Sequence, residues 1–218
     1  GLVLYLPFSE GNASMGSTRV YDRSPYGNDG TCNGVATAYG CNWTTGKYGN
    51  ALQFDGVDDF ISIGDVQSLR FRIGDKITDE LWINPSQWST TVYIIGDASG
   101  GGVSTKALSL LAGKLSFDYF GSNSVWQTYQ TTNAIGSLNN WYHIAFTYTY
   151  GTGSTAQFYV NGVAVPGSWT SGTGNVATYY DPHEYSTVIG RISASGAYYY
   201  SGTIDEVRIY NRVLAPEE

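Results

Sequence analysis

FYVNGVAV, residues 158–165, decides the fold class. Asn161-Gly162 stands between two apolar runs, Phe158–Val160 and Val163–Val165. A two-residue connection with positive φ at both positions is the type I′ turn that joins antiparallel strands, and Asn-Gly is its strongest short signal. The segment reads as a β-hairpin. LLAGKLSF, around Gly113, reads as a second and weaker one. Outward from these two, short β-rich runs recur between clusters of Gly, Asn, Asp and Ser. Strands are expected near Leu2–Phe8, Ala51–Phe54, Phe60–Ile63, Ile77–Asn84, Thr91–Ile95, Lys106–Leu111, Lys114–Phe120, Val125–Gln130, Trp141–Tyr148, Ala156–Val160, Val163–Val165, Ser186–Ile189 and Thr203–Tyr210. Several alternate apolar and polar residues, as a sheet with one buried face requires. No window carries helical periodicity. About a dozen strands joined by turns make an all-β, antiparallel two-sheet sandwich.

Composition points the same way. The chain has 218 residues, within the range of one all-β domain, and no linker, charge block or internal repeat divides it, so residues 1–218 read as one domain. Charged residues are only 13%, whereas Gly numbers 28 and Tyr 19, which excludes a coiled coil, a helical bundle and a charge-rich disordered chain. The net charge is −7 and the 11 Lys and Arg are scattered, so nucleic acid is set aside as a partner. No apolar run is long enough to span a membrane as a helix. The chain begins at Gly1 rather than Met and is read as a mature or excised fragment.

The two cysteines, Cys32 and Cys41, do not have C-x-x-C spacing, and no second pair completes a zinc set. A disulfide closing a Gly-rich loop is favoured over a redox pair, and it places the protein outside the reducing cytosol. N-x-S/T triplets at Asn12 and Asn42 agree with an extracellular or cell-surface location.

LVLYLPFSEG (2–11), VYDRSPYGNDGT (20–31), GKYGNALQFDGVDDFISI (46–63), KITDELWINPSQW (76–88), NNWYHIAFTYT (139–149), QFYVNGV (157–163) and GTIDEVRIYNRVLAPEE (202–218) follow one another in a familiar order. Together they resemble the laminin G-like, concanavalin A-like lectin/glucanase jelly-roll domains. The resemblance covers nearly the whole chain and implies a jelly-roll sandwich. Independently of it, the first and last strands are expected to pair, since both carry apolar alternation and they open and close the domain. It is poorly specific for function, because this fold serves adhesion, sugar binding and catalysis.

Three constellations are candidates for chemistry. The first is the oxygen-rich loop around Asp22, Pro25, Tyr26, Asn28, Asp29 and Gly30. Calcium takes six to eight oxygen ligands, and such a loop can supply carboxylates and carbonyls, although Asp22 and Asn28 can equally cap turns. The resemblance implies a structural calcium between this loop and the Asp of the closing strand. Asp22, Asn28 and Asp205 are the expected ligands. The second is Asp55, Asp58 and Asp59, for which a solvated turn is favoured over a cation site.

The third is aromatic. Trp126, Tyr129, Trp169, Tyr180, His183 and Tyr199 are the candidate ligand-binding residues, because exposed rings stack on sugar faces and also suit protein interfaces. The competing reading is that these rings fill the edge of the sandwich. Neighbouring Tyr179, Glu184 and Tyr185 share that segment.

Alternation in ITDELWIN puts Ile77, Asp79, Leu81 and Ile83 on one face and Thr78, Glu80, Trp82 and Asn84 on the other. Asp79 is where similar domains carry an apolar residue. Three readings stand: an active-site carboxylate with a shifted pKa, a satisfied core Asp, or an altered position. Jelly-roll glycosidases similar to this fold carry E-x-D-x-E on one strand, and no such triplet occurs here. His143 alternates with apolar positions and reads as structural. The expected function is a non-catalytic extracellular recognition module, stabilised by calcium and binding a glycan or cell-surface protein. The alternatives are a structural spacer or adhesion domain of a surface or pilus protein, and a glycoside hydrolase with atypical carboxylates.

Overall fold

A computed structural model describes residues 1–10, 18–34, 41–98, 104–177, 186–192 and 198–218. The described residues form seventeen strands in chain order: β1 (Leu2–Leu6), β2 (Arg19–Val20), β3 (Gly30–Asn33), β4 (Trp43–Thr45), β5 (Asn50–Asp55), β6 (Phe60–Gly64), β7 (Lys76–Pro85), β8 (Val92–Ala98), β9 (Ala107–Leu111), β10 (Lys114–Phe120), β11 (Trp126–Thr131), β12 (Tyr142–Thr149), β13 (Gln157–Val160), β14 (Val163–Val165), β15 (Gly167–Ser171), β16 (Ser186–Ile189) and β17 (Ser201–Tyr210). They form two antiparallel sheets in a jelly-roll sandwich. One runs β14-β13-β12-β7-β17-β5-β4, with β1 paired to β17; the other runs β15-β11-β10-β9-β8-β16-β6-β3-β2.

All thirteen expected strands are present. The four additional ones, β2, β3, β4 and β15, are short, and GTCN, WTT and GSWTS offer no apolar alternation to reveal them. The hairpin of the opening motif is confirmed: Val160 faces Val163, and Asn161 and Gly162 have φ of 52° and 78°. The second hairpin pairs Leu111 with Lys114 through Ala112 and Gly113, also both at positive φ. The first strand lies beside the last, with Leu6 opposite Val207.

The core between the sheets is aromatic. Phe117 of one sheet stacks on Phe146 of the other with ring centroids 4.3 Å apart. Tyr119, Tyr148 and Phe158 extend this layer, and all are buried. The packed rings explain a Tyr count that sequence alone leaves open between core and surface. Cys32 and Cys41 are disulfide-bonded, with Cα atoms 5.2 Å apart. The bond fastens β3 of the nine-stranded sheet to Cys41, two residues ahead of β4 in the other.

Candidate functional site

KLSFDYF in β10 sets up the site by its alternation. Leu115, Phe117 and Tyr119 are fully buried in the core, which sends Ser116, Asp118 and Phe120 to the outer face of the nine-stranded sheet. Across the β10–β11 pair, Ser116 faces Gln130, Asp118 faces Thr128 and Phe120 faces Trp126. On the other side Ser116 faces Ser109, and Ser109 in turn faces Tyr93 of β8. Tyr198 meets the Tyr93 ring edge-on, at 5.9 Å between centroids. Trp126 meets Phe120 in the same geometry at 5.4 Å. The outer face thus carries two aromatic pairs with hydroxyl, amide and carboxyl groups between them.

Asp118 lies low in this face, only 9% exposed. Its Oδ2 accepts the Ser109 hydroxyl at 3.3 Å, and the Gln130 amide donates to Ser116 Oγ at 2.9 Å. Burial pushes the Asp118 carboxyl up to about 6, against the lowering effect of hydrogen bonds from Thr128 and Ser109. Burial, and then the Asp118 charge, push the Tyr93 phenol up to about 12. Asp118, Tyr93, Ser109 and Gln130 were missed in the sequence reading. The signal was available: the alternation that buries Phe117 requires an outward Asp118.

The expected aromatic residues divide. Trp126 is half-buried on the outer face, and Tyr199 is likewise half-buried. Tyr180 and His183 lie outside the described residues. Tyr129 and Trp169 are corrected. Tyr129 is 7% exposed and packs against Phe146, Phe158 and Trp169 on the core side of β11. Trp169 packs on Tyr119, Tyr129 and Tyr148 and donates its indole N–H to Gly153 O at 2.9 Å. Tyr129 is thus enclosed in the core, whereas Trp169 is half-buried and packs against the end of the core.

The expected calcium ligands also divide. Asp22 Oδ1 accepts the N–H groups of Tyr5 and Ser24, each at 2.8 Å, and Oδ2 accepts the Ser24 hydroxyl and the Asn28 N–H, each at 2.7 Å. Those four donors occupy its lone-pair directions, so in this structure Asp22 organises the turn. Asn28 joins the same turn, its amide donating to Val3 O and Ser68 Oγ. Asp205 has different partners. Its Oδ2 accepts the Tyr48 N–H at 2.9 Å, whereas the buried Oδ1 has no hydrogen-bond partner among the described residues. Burial pushes its carboxyl up to about 6.

Asp55, Asp58 and Asp59 lie close enough for a shared ion. Their contacts are those of a turn: Asp55 Oδ1 accepts the Val57 N–H at 2.8 Å, and Asp59 Oδ2 accepts the Asp55 N–H at 3.0 Å. Asp79 and Glu80 point to opposite sides, as their alternation requires. Glu80 is on the outer face of its sheet, 3.0 Å from His143 Nε2 and 3.4 Å from an Arg208 nitrogen, and these partners hold its carboxyl below the usual range despite burial. Asp79 is fully buried on the core side of β7, 3.6 Å from Lys106 Nζ.

A family model described as the concanavalin A-like lectin/glucanases superfamily matches residues 55–218. Among solved structures, the binding domain of botulinum neurotoxin serotype G superposes with a TM-score of 0.71 at 13% identity, covering 100% of this chain and 49% of that one. The binding domain of Paraclostridial Mosquitocidal Protein 1 gives 0.70 at 16%, covering 99% and 50%. Domain 4 of AbnA, an extracellular arabinanase from Geobacillus stearothermophilus solved in complex with arabinotriose, gives 0.69 at 23%, covering 99% and 95%. This chain therefore spans about half of the two toxin domains and nearly all of the arabinanase domain. No curated protein matches the chain by sequence.

Proposed function

The chain belongs to the concanavalin A-like lectin/glucanase superfamily, and on that premise we propose that it is a non-catalytic, extracellular or cell-surface recognition module that binds a glycan. The observation that carries this reading is the outer face around Asp118. Trp126 with Phe120 and Tyr93 with Tyr198 supply rings for the apolar faces of sugars. Ser109, Ser116, Thr128, Gln130 and Asp118 supply donors and acceptors between them. This combination of flat apolar surface with placed polar groups is what orients a small polyhydroxylated ligand. The arabinotriose held by the arabinanase domain of the same fold supports sugar as the ligand class. The toxin binding domains keep a cell-surface protein as the second reading, which the same face serves with its exposed Tyr198. The disulfide supports an oxidising location.

Hydrolysis by the retaining or inverting route needs two carboxyl groups flanking one bond. The residues paired directly with Asp118 are Ala107 and Thr128, neither of them acidic. Binding without cleavage is therefore the better reading of this face.

Calcium is proposed at Asp205, whose unpartnered buried oxygen is the arrangement a cation would complete.

A glycan array probed with and without calcium tests the proposal. Binding of oligosaccharides that Trp126→Ala weakens roughly tenfold or more supports it. Absence of any glycan signal, together with capture of a defined cell-surface protein through the same face, favours the second reading.

A further inference from the structure

Lys106 and Asp79 face each other inside the sandwich, Lys106 Nζ lying 3.6 Å from Asp79 Oδ1, with the two side chains 2% and 0% exposed. Asp79 is on the core side of β7, between Phe146 of β12 and Ile209 of β17. Lys106 immediately precedes β9 in the opposite sheet, its Nζ 5.3 Å from the Phe71 ring centroid. Neither Asp79 oxygen nor Lys106 Nζ has a hydrogen-bond partner among the described residues.

This is a poor ion pair. Charge-assisted N–H···O bonds close to about 2.7–2.9 Å, and a buried pair repays its desolvation only when further hydrogen bonds satisfy the remaining atoms. Here the pair stands open and every remaining polar atom is bare. A second acid adjoins it. Asp97 accepts the Thr105 hydroxyl and N–H and feels the Lys106 charge.

We propose that Lys106 and Asp79 condense into an intramolecular amide that crosslinks the two sheets, with Asp97 transferring the protons. The step balances without any oxidant or added reagent. The ammonium first passes a proton to a neighbouring carboxylate, leaving a neutral amine beside a neutral carboxylic acid. The Nζ lone pair then attacks Asp79 Cγ. Asp97 takes the second Nζ proton and gives it to the departing hydroxyl. The Cγ–O bond breaks, a C–N bond forms, and one water leaves.

The enclosure favours each part of this. Burial pushes the Asp79 carboxyl up, against the pull of Lys106, which is the direction that favours the neutral acid required for attack. Asp97, pushed up to about 6 by burial, can both accept and return a proton near neutrality. The fold holds the reacting groups close to attack distance, which for well-oriented intramolecular reactions corresponds to effective molarities of roughly 10⁵–10⁸ M. The product replaces two bare buried charges with one neutral amide.

Intact-mass measurement of the unfolded, fully reduced protein decides the proposal. The expected mass is one water below that of the sequence. Tryptic mapping should show no cleavage after Lys106 and a branched peptide joining the Asp79 and Lys106 segments. Asp79→Ala and Lys106→Met should restore the full sequence mass. Asp97→Asn, shown by circular dichroism to be folded, should leave most molecules uncrosslinked. A wild type at full sequence mass, or a water deficit mapping to other residues, overturns the crosslink. A folded Asp97→Asn protein with a complete bond overturns the role given to Asp97.

Discussion

Asp118 Oδ2 accepts the Ser109 hydroxyl across the β9–β10 pair at 3.3 Å, on the outward side of a strand whose inward side is wholly aromatic and aliphatic. A carboxyl so enclosed is more comfortable neutral than charged. Its folded-state value of about 6 lies above the unfolded value near 3.9. The folded protein therefore binds the proton more tightly. The stability contributed by neutral Asp118 is complete below about pH 4 and is lost as pH rises through about 6.

The first prediction follows from that sign. Replacing Asp118 with Asn keeps the shape and removes the titration. Thermal melts from pH 4 to 8 should show Asp118→Asn more stable than wild type at pH 7–8, by up to about 2–3 kcal/mol. The two should converge near pH 4. Asp97 and Asp205 are also raised to about 6 and shape both curves alike, so the difference between curves isolates Asp118. Parallel curves would show that the Asp118 carboxyl is well solvated.

The second prediction separates binding rings from core rings. Trp126 is half-buried on the outer face, whereas Tyr129 packs on Phe146 and Phe158. Trp126→Ala should leave the melting temperature nearly unchanged and weaken glycan binding roughly tenfold or more, equivalent to about 1.4 kcal/mol. Tyr129→Ala should cost about 3–5 kcal/mol of stability as a large core truncation. Calorimetric titration and thermal melts of both variants check this. Equal loss of stability from the two would place Trp126 in the core instead.

The difference between those two rings shows where sequence was informative. Asn161-Gly162 fixed its hairpin because only a few residue types tolerate positive φ at both turn positions. The ITDELWIN alternation placed Asp79 inward and Glu80 outward without error, because a strand gives each residue one of two sides. What alternation does not reveal is the partner. Lys106 lies on another sheet, so the pairing of Asp79 depends on how the sheets stack. For the same reason Tyr129 and Trp169 looked like a ligand face: Gly- and Ser-rich flanks mark loops, yet here they flank rings that close the end of the core. Asp118 was legible in principle and was passed over for the more conspicuous acidic clusters.

The third prediction concerns Cys32–Cys41. The bond closes a short loop and joins segments belonging to different sheets. Cys32→Ser with Cys41→Ser should lower stability by about 2–3 kcal/mol. Native protein should show no alkylatable thiols, and the loss in the double variant should match that produced by reducing the wild type. A reduced protein as stable as the oxidised one would mean that strand pairing alone holds this end of the sandwich.

The last prediction distinguishes Asp22 from Asp205, which sequence treated as one cation site. Asp22 spends its carboxylate on four donors from Tyr5, Ser24 and Asn28. Asp22→Ala should strip those backbone groups of their acceptor and lower the melting temperature equally with and without EDTA, since each buried donor left unsatisfied costs about 1–3 kcal/mol. Asp205 keeps one buried oxygen unpartnered. If calcium completes it, added calcium should raise stability by about 2.7 kcal/mol at a hundredfold excess over its dissociation constant. EDTA should reverse the gain and Asp205→Ala should abolish it. The metal must displace a proton from a carboxyl raised to about 6, so the calcium response should be full at pH 8 and fade by pH 5. Melting curves of wild type, Asp22→Ala and Asp205→Ala under those conditions check all three statements. A calcium response that survives Asp205→Ala but disappears in Asp22→Ala would return the ion to the early turn.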